Sequence, residues 1–370
     1  MIYLDHAATS YPKPPAVLAA IAHWFTDLGV SAERGDSGRC ATVRREVDEV
    51  RHRLGALVGV PGPRVAFTSG ATEALNLALR AVLRSGDAVL TTAFEHSSVV
   101  RPLLALQRER QLRLEVLPAT ATGTLDLDAA ARTLAALRPR LFVFTHASNV
   151  TGALFDAAAL CEVARRHGAR TLLDASQTAG WFDLRVGADL VAASAHKALY
   201  GPPGLGFLAV DPDLELPPQK QGGTGSSAAL AEHPTGWPQA FEAGTPNTPA
   251  IFGLGAALRW LEVQGPAQLR RAALAHTAAL AERLAAVPGV RLLRPPGPVT
   301  PVLSFVHEAY DPAELGSLFD AADVHVRTGF HCAPWVHAAL GTSAAGTVRL
   351  SPGPSLSAAD IRQASAVLGG

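Results

Sequence analysis

Residues Gly187–Gly204 read GADLVAASAHKALYGPPG, and this stretch decides the fold. The apolar run through Ala193 has the length of a buried strand. It ends in Ser194, His196 and Lys197, just before the rigid turn Gly201-Pro202-Pro203-Gly204. Lysine is costly to bury. The chain holds only three lysines, Lys13, Lys197 and Lys220, and its other cations are arginine and histidine. A lysine kept at a strand end suggests chemistry that arginine cannot do. A desolvated lysine can lose its proton and become an amine nucleophile, whereas arginine stays charged. Taken alone, the stretch fits a surface lysine in a loop equally well.

The same grammar recurs on either side. RVAFTSGATEALNLALRAVL reads as strand, glycine turn and helix, and DAVLTTAFEHSS as a strand with a polar end. LRLEVLPA, RLFVFTHASN, TLLDASQTAG and ADLVAASAHK read as further short apolar strands. Helical patterns such as LDAAARTLAALR and DAAALCEVARRHG separate several of them. Alternation of this kind predicts an α/β fold with a mostly parallel sheet covered on both faces. Upstream, AVLAAIAHWFTDL and ATVRREVDEVRHRLGALVG read as amphipathic helices, the second closed by Gly59. After about Gly253 the pattern changes to two long helices and four short strands, VRLLRP, VLSFVHE, VHVRTG and GTVRLSPG. The expected division is an N-terminal segment 1–15, a large domain 16–253 and a small α/β domain 254–370. The Gly-rich stretch from Pro217 to Ala250 is expected to be a long functional or mobile loop.

Bulk properties narrow the function. Of 370 residues, 48% are hydrophobic, so a sizeable core is expected, and 32 basic side chains balance 32 acidic ones, which argues against nucleic acid as the main partner. No run is long and apolar enough to span a bilayer, and the N-terminus lacks signal-peptide character. Cys40, Cys161 and Cys332 are far apart and form neither a disulfide framework nor a metal-spaced set. The expectation is a soluble cytoplasmic protein with reduced thiols and no metal.

Polar residues sit just past the apolar strands: Ser69 to Thr72, Glu95-His96, His146 to Asn149, Asp174 to Gln177 and Ser194 to Lys197. In a parallel sheet, ligands bind at these carboxyl ends. Gly70-Ala71-Thr72 opens a predicted helix, where free N–H groups and the dipole favour an anion such as phosphate. Each feature has a plainer reading, the turn as a simple cap and Asp174 as a capping residue for the segment that follows. Together, a lysine, a buried carboxylate able to pair with a pyridinium N–H, a phosphate turn and His96 fit one cofactor, pyridoxal 5'-phosphate.

The chain resembles the cysteine desulfurase / selenocysteine lyase family within the class V aminotransferase group of fold-type I pyridoxal-phosphate enzymes. The resemblance spans nearly the whole chain, through YLDHAATSYPKP, FTSGATEALN, FEHSS, ASNVTG, DASQTAG, SAHKALYGPPGLG, FEAGTPNTP, VRTGFHCAP and GTVRLSPG. It implies a seven-stranded, mostly parallel sheet in the large domain. It implies Lys197 as the Schiff-base lysine, Asp174 at the pyridine nitrogen, His96 stacked on the ring and Gln177 at the ring hydroxyl. Ala71, Thr72, Ser194 and His196 would hold the phosphate, and Thr245 would reach the phosphate of a neighbouring subunit, implying a homodimer. Asn149, Arg349 and Arg327 would line the substrate site, where an arginine fork suits a carboxylate. Cys332, in the short HCAP form with Arg327 nearby, would carry a persulfide for a sulfur-acceptor protein; Cys161 reads as an inert core thiol.

The reaction implied is conversion of L-cysteine to L-alanine. Rival expectations are a selenocysteine lyase or cysteine-sulfinate desulfinase, another class V reaction such as an epimerase or transaminase, and an idle scaffold. The chain departs from relatives at Arg34-Gly35-Asp36-Ser37, with Cys40 following, where an Arg-Gly pair followed closely by histidine is common. This departure leaves the substrate preference open.

Overall fold

The computed structural model describes residues 1–32, 37–225 and 230–368. Its elements begin with β1 (Ile2–Tyr3), α1 (Pro15–His23), α2 (Gly38–Val58), β2 (Val65–Thr68), α3 (Ala71–Val82) and β3 (Ala88–Thr92). They continue with α4 (Ser97–Arg110), β4 (Arg113–Leu117), α5 (Leu127–Leu137), β5 (Leu141–Thr145), α6 (Ala157–Arg166), β6 (Arg170–Asp174), β7 (Leu190–Ser194) and β8 (Gly206–Val210). The remainder comprises α7 (Thr248–Gln264), α8 (Pro266–Ala285), β9 (Val290–Leu293), β10 (Leu303–His307), α9 (Pro312–Ala321), β11 (Val324–His325), β12 (Arg327–Gly329), α10 (Pro334–Ala339), β13 (Thr347–Leu350) and α11 (Ala358–Ala366).

Seven strands form one sheet in the order β2-β8-β7-β6-β5-β3-β4. Neighbours from β7 through β4 run parallel, and β8 is antiparallel to both β7 and β2. β2, β3, β5, β7 and β8 are buried along their whole length, which is why they read as continuous apolar runs rather than alternating ones. The edge strand β4 instead alternates, with Arg113 and Glu115 exposed and Leu114 and Val116 half-buried. α1 continues into a π-helical turn over Trp24–Leu28, and Gly29 closes it at φ 61°. Gly59 ends α2 at φ 83°, as the sequence pattern predicts.

A second sheet, antiparallel, has the order β12-β13-β10-β9. The expected strand VHVRTG divides in two: β11 pairs in parallel with β1, whereas β12 joins β13. The N-terminal segment is thereby laced onto the C-terminal one, with a further bridge between Asp5 and Ser351. The expected boundary after Gly253 falls inside α7, whose Ile251, Leu254, Ala257 and Leu261 pack in the same core as Val43, Val47 and Val50 of α2. α8 spans the two layers: Leu269 and Ala273 join that core, while Leu280, Ala281 and Leu284 join the core of the smaller sheet. No helix among the described residues is long and apolar enough to cross a membrane.

Candidate active site

The carboxyl ends of β2, β3, β5, β6 and β7 open onto one cavity of about 220 Å³. Its wall includes Ala71 and Thr72 from the start of α3, His96 after β3, Asn149 after β5, Asp174 and Gln177 from the end of β6, and Ser194, His196 and Lys197 after β7. The smaller sheet closes it with Arg327 and Arg349, and the loop after β12 adds His331. Eleven positions expected from sequence thus converge on one crevice. Thr245 is not among them; it lines a different cavity of about 420 Å³, together with Ser69, Glu73 and Lys220. Cys332 lies at the rim, with Sγ 3.7 Å from Arg327 Nη2.

Lys197 is half-buried. Burial pushes its pKa below the usual lysine value, an effect that Asp174 opposes and that Arg349 and Arg327 reinforce. Asp174 is buried at the last residue of β6, where its Oδ1 accepts a 2.9 Å hydrogen bond from the Ser176 N–H. His96 is the N-cap of α4, and its Nδ1 accepts the Ser98 N–H at 3.1 Å. The proton of the neutral ring therefore sits on Nε2. Burial, followed by the Lys197 charge, lowers the His96 pKa to about 4, so the ring is neutral at pH 7.

α3 begins without a capping side chain from its own N-cap, Gly70. Ser194 Oγ from β7 instead accepts the Ala71 N–H at 3.0 Å, and Thr72 Oγ1 meets Ser98 Oγ at 2.8 Å. The approach is close because Gly206 has no side chain: a Cβ there would lie 2.6 Å from Gly70 Cα. The helix thus presents its first-turn amides and dipole to the cavity.

Arg349 is 1% exposed. Its Nη2 donates to Asp5 Oδ1 at 2.6 Å and its Nη1 to the Asn149 carbonyl at 3.0 Å. Its Nε is buried and has no partner among the described residues. The Asn149 amide donates to the His331 carbonyl at 2.7 Å, and Ser97 N–H donates to the Cys332 carbonyl at 2.7 Å. His331 and Cys332 both adopt left-handed backbone, at φ 48° and 57°. Such conformations are strained for residues with a side chain and persist where surrounding contacts impose them. The cysteine loop is therefore held from the large sheet on both of its strained residues.

Sequence reasoning assigned no role to Asp5, Lys13, Glu95 or Ser98. Glu95 is fully buried, with Oε1 accepting from Thr92 Oγ1 at 2.6 Å and from the Thr145 N–H at 3.1 Å, while Oε2 has no partner among the described residues. Burial pushes its pKa up to about 8. Of the departing segment, Arg34, Gly35 and Asp36 lie outside the described residues. Ser37 caps α2, with its Oγ accepting the Cys40 N–H at 3.3 Å, and Cys40 is buried. Cys161 is buried in the main core, as expected of an inert thiol, and burial raises its pKa to about 12.

The donor set fits pyridoxal phosphate. A buried carboxylate, an amine whose pKa burial lowers, a neutral imidazole and the first turn of α3 surround one cavity.

The aminotransferase class-V family matches residues 2–363. A cysteine desulfurase of Escherichia coli O127:H6 is 34% identical over 351 residues, covering 90% of this chain and 84% of that protein. A probable cysteine desulfurase of Vibrio cholerae serotype O1 is 32% identical over 380 residues, covering 98% of this chain and 91% of that protein. The apo structure of a cysteine desulfurase from Thermococcus onnurineus NA1 superposes with a TM-score of 0.92 at 27% identity, covering 99% of this chain and 93% of that one.

Proposed function

Since the chain belongs to the cysteine desulfurase family of class-V aminotransferases, we propose that it takes sulfur from L-cysteine, releases L-alanine and leaves a persulfide on Cys332. The observation that carries this reading is one crevice lined by Lys197, a buried aspartate and a buried arginine whose Nε has no partner among the described residues, with an exposed cysteine at its rim.

The enzyme depends on pyridoxal phosphate. When bound, the cofactor supplies an aldehyde for an amine and a protonated ring that draws electron density away from the substrate Cα. Asp174 would keep the ring nitrogen protonated, His96 would cover the ring face and Gln177 would meet the ring hydroxyl. The α3 amides, Thr72, Ser194 and His196 would hold the phosphate.

Arg349 and Asn149 would orient the substrate carboxylate. Asp5 and the Asn149 carbonyl already take two of the guanidinium's five donors, which fixes its plane. Lys197, held toward its neutral form by burial, would take the Cα proton. Cys332 Sγ would then attack the substrate sulfur: the Sγ–S bond forms, the Cβ–S bond breaks, and the electron pair left on Cβ takes up a proton to give the methyl group of alanine.

Exposure of Cys332 suits delivery of the sulfur to an acceptor protein. Thr245, placed in a cavity apart from Lys197, suits a role toward the phosphate of a second copy of the chain, which makes the working unit a homodimer. In this reading the part built on the seven-stranded sheet holds the cofactor, and the part built on the smaller sheet brings Arg349 and Cys332. The test is alanine and sulfide formation from L-cysteine by the holoenzyme and its Cys332→Ser variant. Full sulfide release without Cys332 would overturn the assignment.

A further inference from the structure

Four donors converge on a single backbone oxygen next to the reactive lysine. The His196 carbonyl accepts from the Ser10 N–H at 2.9 Å, Thr9 Oγ1 at 3.0 Å, Ser10 Oγ at 3.2 Å and Lys13 Nζ at 2.7 Å. Lys13 Nζ also donates to Ser10 Oγ at 2.8 Å. That carbonyl belongs to the peptide bond joining His196 to Lys197. We propose that Lys13 is a positioning residue: its ammonium clamps the His196–Lys197 peptide and so fixes the stem from which Lys197 enters the cavity. The inference rests on Lys197 being the reactive lysine.

Three features separate this contact from a casual surface bond. Lys13 is half-buried, and the partners of its Nζ among the described residues are hydroxyl and carbonyl oxygens, none a carboxylate. Burial without a counter-ion lowers its pKa to about 8. A cation held this way is costly, and backbone and hydroxyl oxygens alone compensate it. The chain is otherwise arginine-rich, yet keeps a lysine here. A compact ammonium with three donors can reach two neighbouring oxygens at the base of a turn, where a planar fork would need more room. Finally, the clamp opposes a tight element. Tyr200, in left-handed backbone at φ 57°, donates its N–H to the Lys197 carbonyl at 2.9 Å, and Gly201 returns to Ala195 at 2.9 Å. The turn is closed on itself from one side and tied to the N-terminal segment from the other.

A shift of the lysine stem by about 1 Å costs on the order of 100-fold in a well-aligned site. The test compares wild type with Lys13→Met, reading three quantities: the rate at which apoprotein mixed with pyridoxal phosphate becomes reducible by borohydride at Lys197, located by peptide mass; kcat and KM for L-cysteine; and the thermal midpoint. The expected result is attachment and kcat both slower by roughly 10- to 100-fold, with KM and the thermal midpoint little changed. Attachment rate and kcat equal to wild type would overturn the proposal. Loss of kcat that only tracks loss of the folded state would overturn it as well. If Lys13→Met does not fold, Ser10→Ala decides, since it removes one of the oxygens that Nζ holds: slower attachment supports the clamp, and an unchanged rate overturns it. Labelling of wild type at a lysine other than Lys197 would instead sink the assignment of the reactive lysine.

Discussion

Arg349 donates through Nη2 to Asp5 Oδ1 at 2.6 Å, and the two residues are 1% and 6% exposed. They are 344 positions apart in sequence and meet because the N-terminal segment crosses the end of β13, where Asp5 bridges to Ser351. Removing one member of a buried ion pair strands the other charge. Asp5→Asn is therefore expected to lower the unfolding free energy by about 3 kcal/mol, and to raise KM for the amino acid as the guanidinium loses its fixed plane. Thermal or urea unfolding and steady-state kinetics check both. Stability equal to wild type would contradict the burial argument.

Lys197→Ala is expected to abolish turnover while leaving the fold at least as stable. The native chain bears the cost of desolvating this amine, and that cost disappears with it. Alanine formation and the thermal midpoint of the apoprotein provide the comparison. A large loss of stability would show that Lys197 holds the structure together rather than acting on substrate.

Glu95 makes a prediction in pH. Unfolded, it ionises near 4.5; folded, its pKa is raised to about 8. Between those values the native state holds a proton that the unfolded state has released, so the stability this carboxyl contributes is full below the lower value and is lost as pH rises through the upper one. Glu95→Gln cannot titrate. Its stability relative to wild type is expected to improve by about 1.4 kcal/mol per pH unit across that window. A difference that stays flat with pH would contradict a protonated Glu95.

Asn149→Ala removes the 2.7 Å hydrogen bond to the His331 carbonyl. One hydrogen bond is worth about 1 kcal/mol, against two adjacent left-handed residues that need such support. Amide exchange across residues 330–333 is expected to accelerate by roughly 5-fold, with a fall in kcat as Cys332 loses its fixed position. Unchanged exchange would mean that the Ser97 contact alone holds the loop.

The large sheet was legible because β7 and its neighbours are buried on both faces, so their apolar runs and polar ends stand out in the sequence. For the same reason Asp174, His96 and Lys197 could be placed at strand ends before any geometry was known. Asp5 was not legible as a partner of Arg349, since nothing local signals a contact between the two chain ends. Lys13 carried one signal, its rarity as a lysine, without indicating which oxygen it would hold. The split between β11 and β12 depends on tertiary pairing, which divides the continuous pattern seen there. The boundary expected at residue 253 followed a change of composition, whereas α7 continues through it as one helix packed on α2.

The central claim is that Cys332 takes the sulfur of L-cysteine. The most direct measurement is mass analysis of the holoenzyme after a single turnover with L-cysteine, without reductant, with alanine quantified in the same sample. The account predicts one added sulfur atom on the peptide containing Cys332, in proportion to alanine, and neither product from Cys332→Ser. Alanine formed at the wild-type rate by Cys332→Ser, or added sulfur found only on Cys40 or Cys161, would contradict it.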